Sequence, residues 1–261
     1  MKLEALIFDV DGTMADTEEM HRLAFNVAFI EHQLGWNWDR SEYARLLEIS
    51  GGKERIVHYI EALPQPAAEK ARLHELVAAI HRSKTRLYTD FVISGKVLLR
   101  PGVGRLIREA RAAGMRLGVA STTTLANVEA LIGGTLGPGA FGWFDVVACG
   151  DQVPHKKPAP DIYRRALATL GLPPQACVAF EDSANGVKAA RAAGLFTVVT
   201  PTRWTAGQDF SAAQLVLSSL GDPGRPLDAA SAAAAGARWL GVAELVRLHA
   251  AVTRAAAVSS C

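Results

Sequence analysis

The sequence predicts an α/β fold, a doubly wound parallel sheet with a small α-helical domain inserted after its first strand. Three observations carry this expectation. Short apolar runs alternate with amphipathic helical segments over most of the chain, which is the pattern of a parallel sheet covered on both faces. That pattern is missing between Asp16 and about residue 95, where the apolar spacing is helical instead. The apolar runs end in acids, hydroxyls or lysines, as strands do when their carboxyl ends face a ligand site.

The elements follow in order. "EALIF" (4–8) is a short buried strand, and Asp9 and Asp11 come immediately after it in "DVDGT". Within the insertion, "EEMHRLAFNVAFIEHQLG" places Leu23, Val27 and Ile30, with Phe25 and Phe29, at helical spacings, and "AAEKARLHELVAAIHRSKTRLY" continues in the same way. Between them lies a Gly-Gly break with a basic flank, "GGKERI". The segment 101–114 starts with Pro101, repeats apolar side chains at Val103, Leu106, Ile107 and Ala110, and stops at Gly114, as a helix does. "MRLGVAST" is then a strand ending in hydroxyls, "LANVEALI" a helix, and "WFDVVACG" (143–150) a third strand. "APDIYRRALATLG" is a helix running from Pro160 and Asp161 to Gly171. "CVAFED" (177–182) is a fourth strand ending in acids, "ANGVKAARAAG" a helix, "LFTVVT" a fifth strand and "QLVL" a short sixth. From Gly221 the tail is rich in alanine, glycine and proline before an amphipathic helix in "RWLGVAELVRLHAAV". Residues 1–16 and 96–261 therefore form the sheet domain, and 17–95 the helical insertion.

A length of 261 residues suits this division, since each unit can bury its own core. With 49% hydrophobic and 21% charged residues the chain reads as globular and soluble. A net charge of +2 without a Lys/Arg block points away from nucleic acid and anionic membranes. Glu4 and Asp9 interrupt the first apolar run, which argues against a signal peptide, and no apolar stretch has the length of a membrane helix. The three cysteines have no CxxC spacing, and Cys149 and Cys177 lie in or beside strand-like runs, as buried thiols in a reducing compartment do. A cytoplasmic protein, monomeric or weakly self-associating, is expected.

In a parallel sheet the strand ends converge on one edge, which brings Asp9 and Asp11, Ser121 and Thr122, Lys156 and Lys157, and Glu181 and Asp182 to one pocket. Clustered carboxylates repel each other and want a hard cation, and a few oxygen ligands completed by water suit Mg²⁺ better than Ca²⁺. A carboxylate can attack phosphorus once the phosphoryl charge is neutralised by a cation, an ammonium and hydroxyls. Asp9 would then become an aspartyl-phosphate, while Asp11 protonates the leaving oxygen and later deprotonates the attacking water.

Rival readings of single motifs fare worse. Aligned on Gly12, a calcium loop would need an oxygen ligand at Ile7. "GPGAFG" (137–142) follows a helix and precedes a strand, the reverse of a dinucleotide turn. Taken alone, Asp182 is a helix N-terminal acid, Ser183 a cap and Lys156 a solvated charge, and "GGKER" is a turn before a helix. His21 and His58 read as packing or surface residues, and Trp36 and Trp38 as core of the insertion as easily as a substrate platform.

The order D-x-D-G-T, S/T after a strand, K-P and E-D resembles the haloacid dehalogenase superfamily of phosphotransferases. It stands here at "DVDGT" (9–13), "VAST" (119–122), "HKKPAPDIY" (155–163) and "FEDSANGVKAARAAG" (180–194). The resemblance implies a Rossmann-like core with Asp9 as nucleophile and Asp11 as acid/base. Ser121 and Lys157 would hold phosphate, and Asp9, Asp11 and Asp182, supported by Glu181, would hold Mg²⁺. It also implies that the helical insertion is a cap that closes over the substrate. "TEEMHR" (17–22), "GGKERI" (51–56) and "HRSKT" (81–85) look like the CbbY branch, phosphatases of xylulose-1,5-bisphosphate in Calvin-cycle bacteria and plastids. Lys53, Arg55, His81, Arg82 and Lys84, with the amides of Gly51 and Gly52, would then hold a second, non-reacting phosphate. Glu18 would reach a sugar hydroxyl, and Tyr43, Thr122 and Thr123 complete the implied substrate contacts. A phosphomutase on the same scaffold, a phosphoglycolate-type phosphatase and a non-catalytic sugar-phosphate-binding regulator are the alternatives. The last would be expected to lack one of the four motifs, and none is missing.

Overall fold

The structure, a computed structural model, describes residues 2–95 and 97–258; Cys261 lies outside them. Six parallel strands form one sheet in the order β3-β2-β1-β4-β5-β6. They are β1 (Ala5–Phe8), β2 (Arg116–Ser121), β3 (Val146–Cys149), β4 (Cys177–Glu181), β5 (Phe196–Val199) and the short β6 (Leu215–Val216). All six are the strands expected from the sequence. β1 lies between β2 and β4, where the winding of the chain reverses, so a crevice opens beyond its carboxyl end. Phe8 stands opposite Val119 and Phe180, which brings Asp9, Ser121 and Glu181 out at one edge.

The strands are buried on both faces because their alternate residues feed two different layers. Leu6, Phe8, Val119, Val178 and Phe180 pack on α5 (Val103–Ala112) and α6 (Leu125–Leu136). Ala5, Ile7, Ala120, Ala148 and Ala179, mostly small, admit α7 (Asp161–Leu170) and α8 (Ala184–Ala192) against the other face. Cys149 and Cys177 are buried free thiols.

The alanine-rich tail joins the first layer. Leu227, Ala235, Leu240 and Leu245 all belong to its core. Within the tail, α9 (Ala229–Ala235) forms where the sequence shows no apolar periodicity, because alanine has the highest helix propensity and the Asp228 side chain caps the Ser231 amide. The last helix is α10 (Val242–Val258). Among the described residues no helix is long and apolar enough to cross a membrane.

Between β1 and α5 the chain builds α1 (Glu18–Glu31), α2 (Arg40–Leu46), α3 (Gly52–Ala62) and α4 (Ala67–Ile93). They enclose a core of their own around Phe25, Phe29, Trp38, Tyr43, Ile56 and Ile80. Trp38 is wholly buried, 4.7 Å from Phe29 and 4.8 Å from Phe25 between ring centroids. Its carbonyl is clamped by Arg22 and Asn26 of α1, at 2.8 and 2.9 Å. The face of α1 differs from the one the periodicity suggests. His21, Ala24, Phe25, Ala28 and Phe29 turn inward, whereas Leu23, Val27 and Ile30 are exposed. The aromatic pair has more area to bury and wins the choice of face over the aliphatic trio.

Candidate active site

One pocket opens between the carboxyl edge of the sheet and the helical insertion. The core lends it Asp9, Asp11, Ser121, Thr122, Thr123, Lys157 and Asp182, and the insertion lends it Glu18, Gly51, Gly52, Arg55, His81 and Lys84. Its floor is an ion cluster. Lys157 Nζ donates to Asp9 Oδ1 and to Glu181 Oε1, both at 2.6 Å, and Tyr163 donates its hydroxyl to the same Glu181 oxygen. Asp9, Lys157, Glu181 and Asp182 are all buried.

Carboxylate oxygens of Asp9, Glu181 and Asp182 lie within 4.8 Å of one another. Burial, with Glu181 and Asp11 adding to it against Lys157, pushes the Asp9 carboxyl up to about 7. Burial, then Asp9 and Glu181, push Asp182 well above the usual carboxylate range. One ammonium cannot balance three carboxylates, and the buried Oε2 of Glu181 has no hydrogen-bond partner among the described residues. A hard divalent cation would supply the missing charge, so the donor set fits one. The Asp11 carboxylate is not in this group; it faces Thr17 and His21 at the start of the insertion.

Two glycines make room for the acids. A Cβ at Gly12, whose φ is +82°, would lie 2.1 Å from Asp182 Oδ2. A Cβ at Gly186 would lie 1.8 Å from Glu181 Oε2, and Glu181 cannot retreat without leaving Lys157 and Tyr163. Gly186→Ala should therefore cost about 1–3 kcal/mol of stability and about 100-fold in turnover. Chemical denaturation and a turnover assay measure the two effects, and wild-type values in both would show that the cluster tolerates the methyl group.

Asp11 is governed from the insertion. Its Oδ1 accepts from Thr17 at 2.7 Å and His21 Nε2 at 2.8 Å, with Tyr88 further off at 3.4 Å. Lys84 Nζ lies 2.6 Å from His21 Nδ1. An ammonium can only donate, so Nδ1 is the acceptor and Nε2 carries the proton given to Asp11. Burial alone would raise the Asp11 carboxyl, but His21, Thr17 and Lys84 together hold it well below the usual range. Burial likewise pulls Lys84 down to about 8. From sequence His21 reads as a packing or surface residue, and it is buried here on Asp11. The available signal was its position one turn after Glu18, on the first helix to leave the acid loop.

The other residues expected from sequence divide. Gly52 is held bare by His81, whose Nε2 would stand 2.7 Å from a Cβ there. Burial, with Lys84 and Lys53 repelling a further charge, pushes His81 down to about 3, so it is a neutral hydrogen-bonding group. Arg55 lines the pocket, yet its nitrogens already donate to Leu46 O, Tyr43 Oη and Ile49 O at 3.0, 3.0 and 3.2 Å. Tyr43 passes that bond on to Glu18 Oε2 at 2.8 Å, so it stands behind Glu18 and not in the pocket wall. Glu181 similarly stands behind Lys157. Lys53 and Arg82 do not line the pocket; both face an adjoining groove, and Lys53 pairs with Asp151 at 3.3 Å. They lie on the outer side of α3 and α4, which spacing along the sequence did not reveal.

A sheet edge bearing paired acids, a hydroxyl, a lysine and an acid pair, roofed by inserted helices, defines a class, and the family comparison agrees. Residues 3–194 match the family model for haloacid dehalogenase-like hydrolases, and the chain belongs to that family. Within it, the chain is 52% identical over 213 residues to Protein CbbY of Rhodobacter capsulatus, covering 82% of this chain and 92% of that one. Protein CbbY of Cupriavidus necator, encoded on a plasmid, is 47% identical over 247 residues, covering 95% and 97%. The crystal structure of a mutant CbbY from Rhodobacter sphaeroides in complex with xylulose-(1,5)bisphosphate superposes with a TM-score of 0.78 at 47% identity, covering 83% of this chain and 94% of that one.

Proposed function

We propose that the protein is a Mg²⁺-dependent phosphatase of xylulose-1,5-bisphosphate, releasing xylulose 5-phosphate and inorganic phosphate through an aspartyl-phosphate at Asp9. The observation that carries the reading is the pairing of a buried Asp9–Lys157–Glu181–Asp182 cluster with the ammonium of Lys84 across one pocket. The likeness to CbbY supports the choice of sugar.

Asp9 Oδ1 is held by Lys157, and its other oxygen forms the bond to phosphorus as the phosphorus–sugar oxygen bond breaks. Asp11 gives its proton to that leaving oxygen. A phosphate dianion beside Asp11 opposes the pull of His21 and Lys84, which favours the protonated acid in the substrate complex. The resulting carboxylate then takes a proton from the water that opens the aspartyl-phosphate. Ser121, Thr122 and Lys157 hold the reacting phosphoryl group. Lys84, neutral His81 and the amides of Gly51 and Gly52 receive the second phosphate, with Arg55 bracing that wall and Lys53 and Arg82 at the outer rim. Glu18, aligned by Tyr43, accepts from a sugar hydroxyl. Asp9, Asp182 and Glu181 would hold Mg²⁺, which supplies charge neutralisation at the phosphoryl oxygens when bound. In this reading 17–95 is the cap over a core of 1–16 and 96–261. The two buried thiols fit a cytoplasmic home, and the expectation of a monomer or weak homo-oligomer is kept.

Phosphate release measured with Mg²⁺ over sugar mono- and bisphosphates tests the reading, with the 1,5-bisphosphate expected to give the highest kcat/KM. Equal rates on mono- and bisphosphates would remove the second-phosphate site, and transfer of the phosphoryl group to the sugar in place of its release would make the enzyme a mutase. Titrating the metal-free protein with Mg²⁺ at pH 7 should release protons, because Asp9 titrates at about 7 without the cation. Affinity should accordingly rise with pH between about 6 and 8. Calorimetry in two buffers of different ionisation enthalpy reads this directly; zero proton release would mean that Asp9 is fully ionised beforehand.

A further inference from the structure

The wall of the pocket has a third contributor, the loop that follows β5. Thr205 and Gln208 line the pocket beside Ser183, far in sequence from the four motifs and from the cap. The loop is built rigidly. Thr205 accepts from the Thr202 amide through Oγ1 at 2.9 Å, and the amides of Thr205, Ala206 and Gln208 close successive tight turns. Arg100 ties its base to the catalytic turn by donating to Gly12 O, Thr200 O and Pro201 O.

Gln208 Oε1 accepts from the backbone amide of Ala184 at 2.7 Å. Only oxygen can face that N–H, so the orientation of the side-chain amide is fixed by its partner. The planar NH₂ group is thereby turned the other way, and it has no acceptor among the described residues. A preoriented donor without a protein partner, in the wall of a pocket for phosphorylated sugar, matches an oxygen of the ligand. The loop also touches the cap. Trp204 sets its ring edge-on to Tyr43, 5.6 Å between centroids, and Arg203 reaches to 3.7 Å from Glu19. Tyr43 is the residue that aligns Glu18, so the loop and Glu18 are in register when the cap is seated as here.

We propose that Gln208 is a specificity-determining residue whose side-chain NH₂ donates to an oxygen of the bound phosphosugar, presented by a core loop that Trp204 docks against the cap. The inference rests on the sugar-phosphate reading above. The test is the dissociation constant of xylulose-1,5-bisphosphate measured by calorimetry with Mg²⁺ in an Asp9→Asn background, which prevents turnover. Adding Gln208→Ala should weaken binding about tenfold, the loss of one hydrogen bond to a charged or hydroxyl oxygen. Gln208→Glu keeps the acceptor for Ala184 but has no NH₂ and brings a negative charge, so it should bind more weakly still. If Gln208 serves only to cap Ala184, Gln208→Glu will weaken binding through its charge alone and will match the Asp9→Asn parent once high salt screens that charge, and that result overturns the proposal. An unchanged constant in Gln208→Ala overturns it as well. Failure of the Asp9→Asn parent itself to bind the bisphosphate would instead defeat the substrate reading on which the inference stands. Thermal midpoints of all three proteins exclude misfolding as the source of lost binding.

Discussion

Asp9→Asn should fold, bind sugar phosphate and release no phosphate, with turnover reduced at least about 10⁴-fold. An amide of the same shape keeps an oxygen for Lys157 but offers no carboxylate to phosphorus. It also removes one of three ionisable carboxyl groups from a cluster that holds a single ammonium. The metal-free variant should therefore be no less stable than the metal-free wild type, in contrast to most substitutions at buried ionic positions. Phosphate release and thermal unfolding in a chelator read the two halves of this expectation. Residual activity above a few per cent would place the nucleophile elsewhere.

Lys157→Ala should do the opposite to stability. Three buried carboxyl groups would be left without a cation, at a cost of about 3–5 kcal/mol, and turnover should vanish with the ammonium proposed to bind phosphate. Added Mg²⁺ should raise the unfolding midpoint of this variant more than that of the wild type, because the cation then neutralises more uncompensated charge. The pH dependence has a definite sign. Burial raises Asp9 to about 7 and Asp182 well above the usual carboxylate range, so the folded state holds protons that the unfolded chain has lost. Without metal, stability should fall as pH rises from about 4 through about 7, more steeply in Lys157→Ala than in the wild type. A midpoint that is flat with pH in both proteins would show that the carboxylates are solvated enough to ionise freely.

The catalytic edge was legible because it depends on strand order and strand ends, and both are written in period and punctuation. Asp9, Ser121, Lys157 and Asp182 could be assigned to one place without any coordinates, since parallel strands leave them no other edge. The insertion was less legible. A helix of 14 residues such as α1 offers two apolar stripes, and only the packing partner decides whether Phe25 and Phe29 or Leu23 and Ile30 turn inward. The same rotation puts His21 on Asp11, a contact between residues whose roles look unrelated in a linear reading. Lys53 and Arg82 line an adjoining groove for the converse reason, because basic residues near a glycine pair do not declare which side of their helices meets the pocket. Gln208 gave no signal at all. Its meaning comes from a single backbone amide 24 positions away.

The two segments that connect the cap to the core are bonded to one another. Ala15 bridges Leu99, and the Arg100 amide donates to Met14 O at 2.8 Å. Under the cap reading proposed above, paired connectors would bend together, and the cap would turn about one axis. The guanidinium of Arg100 fastens that axis to the turn after Asp11 and to the base of the Gln208 loop. In that reading, opening would withdraw His21 and Lys84 from Asp11 and Tyr43 from Trp204 in a single motion, so the proposed acid/base and sugar contacts would be assembled or dismantled together.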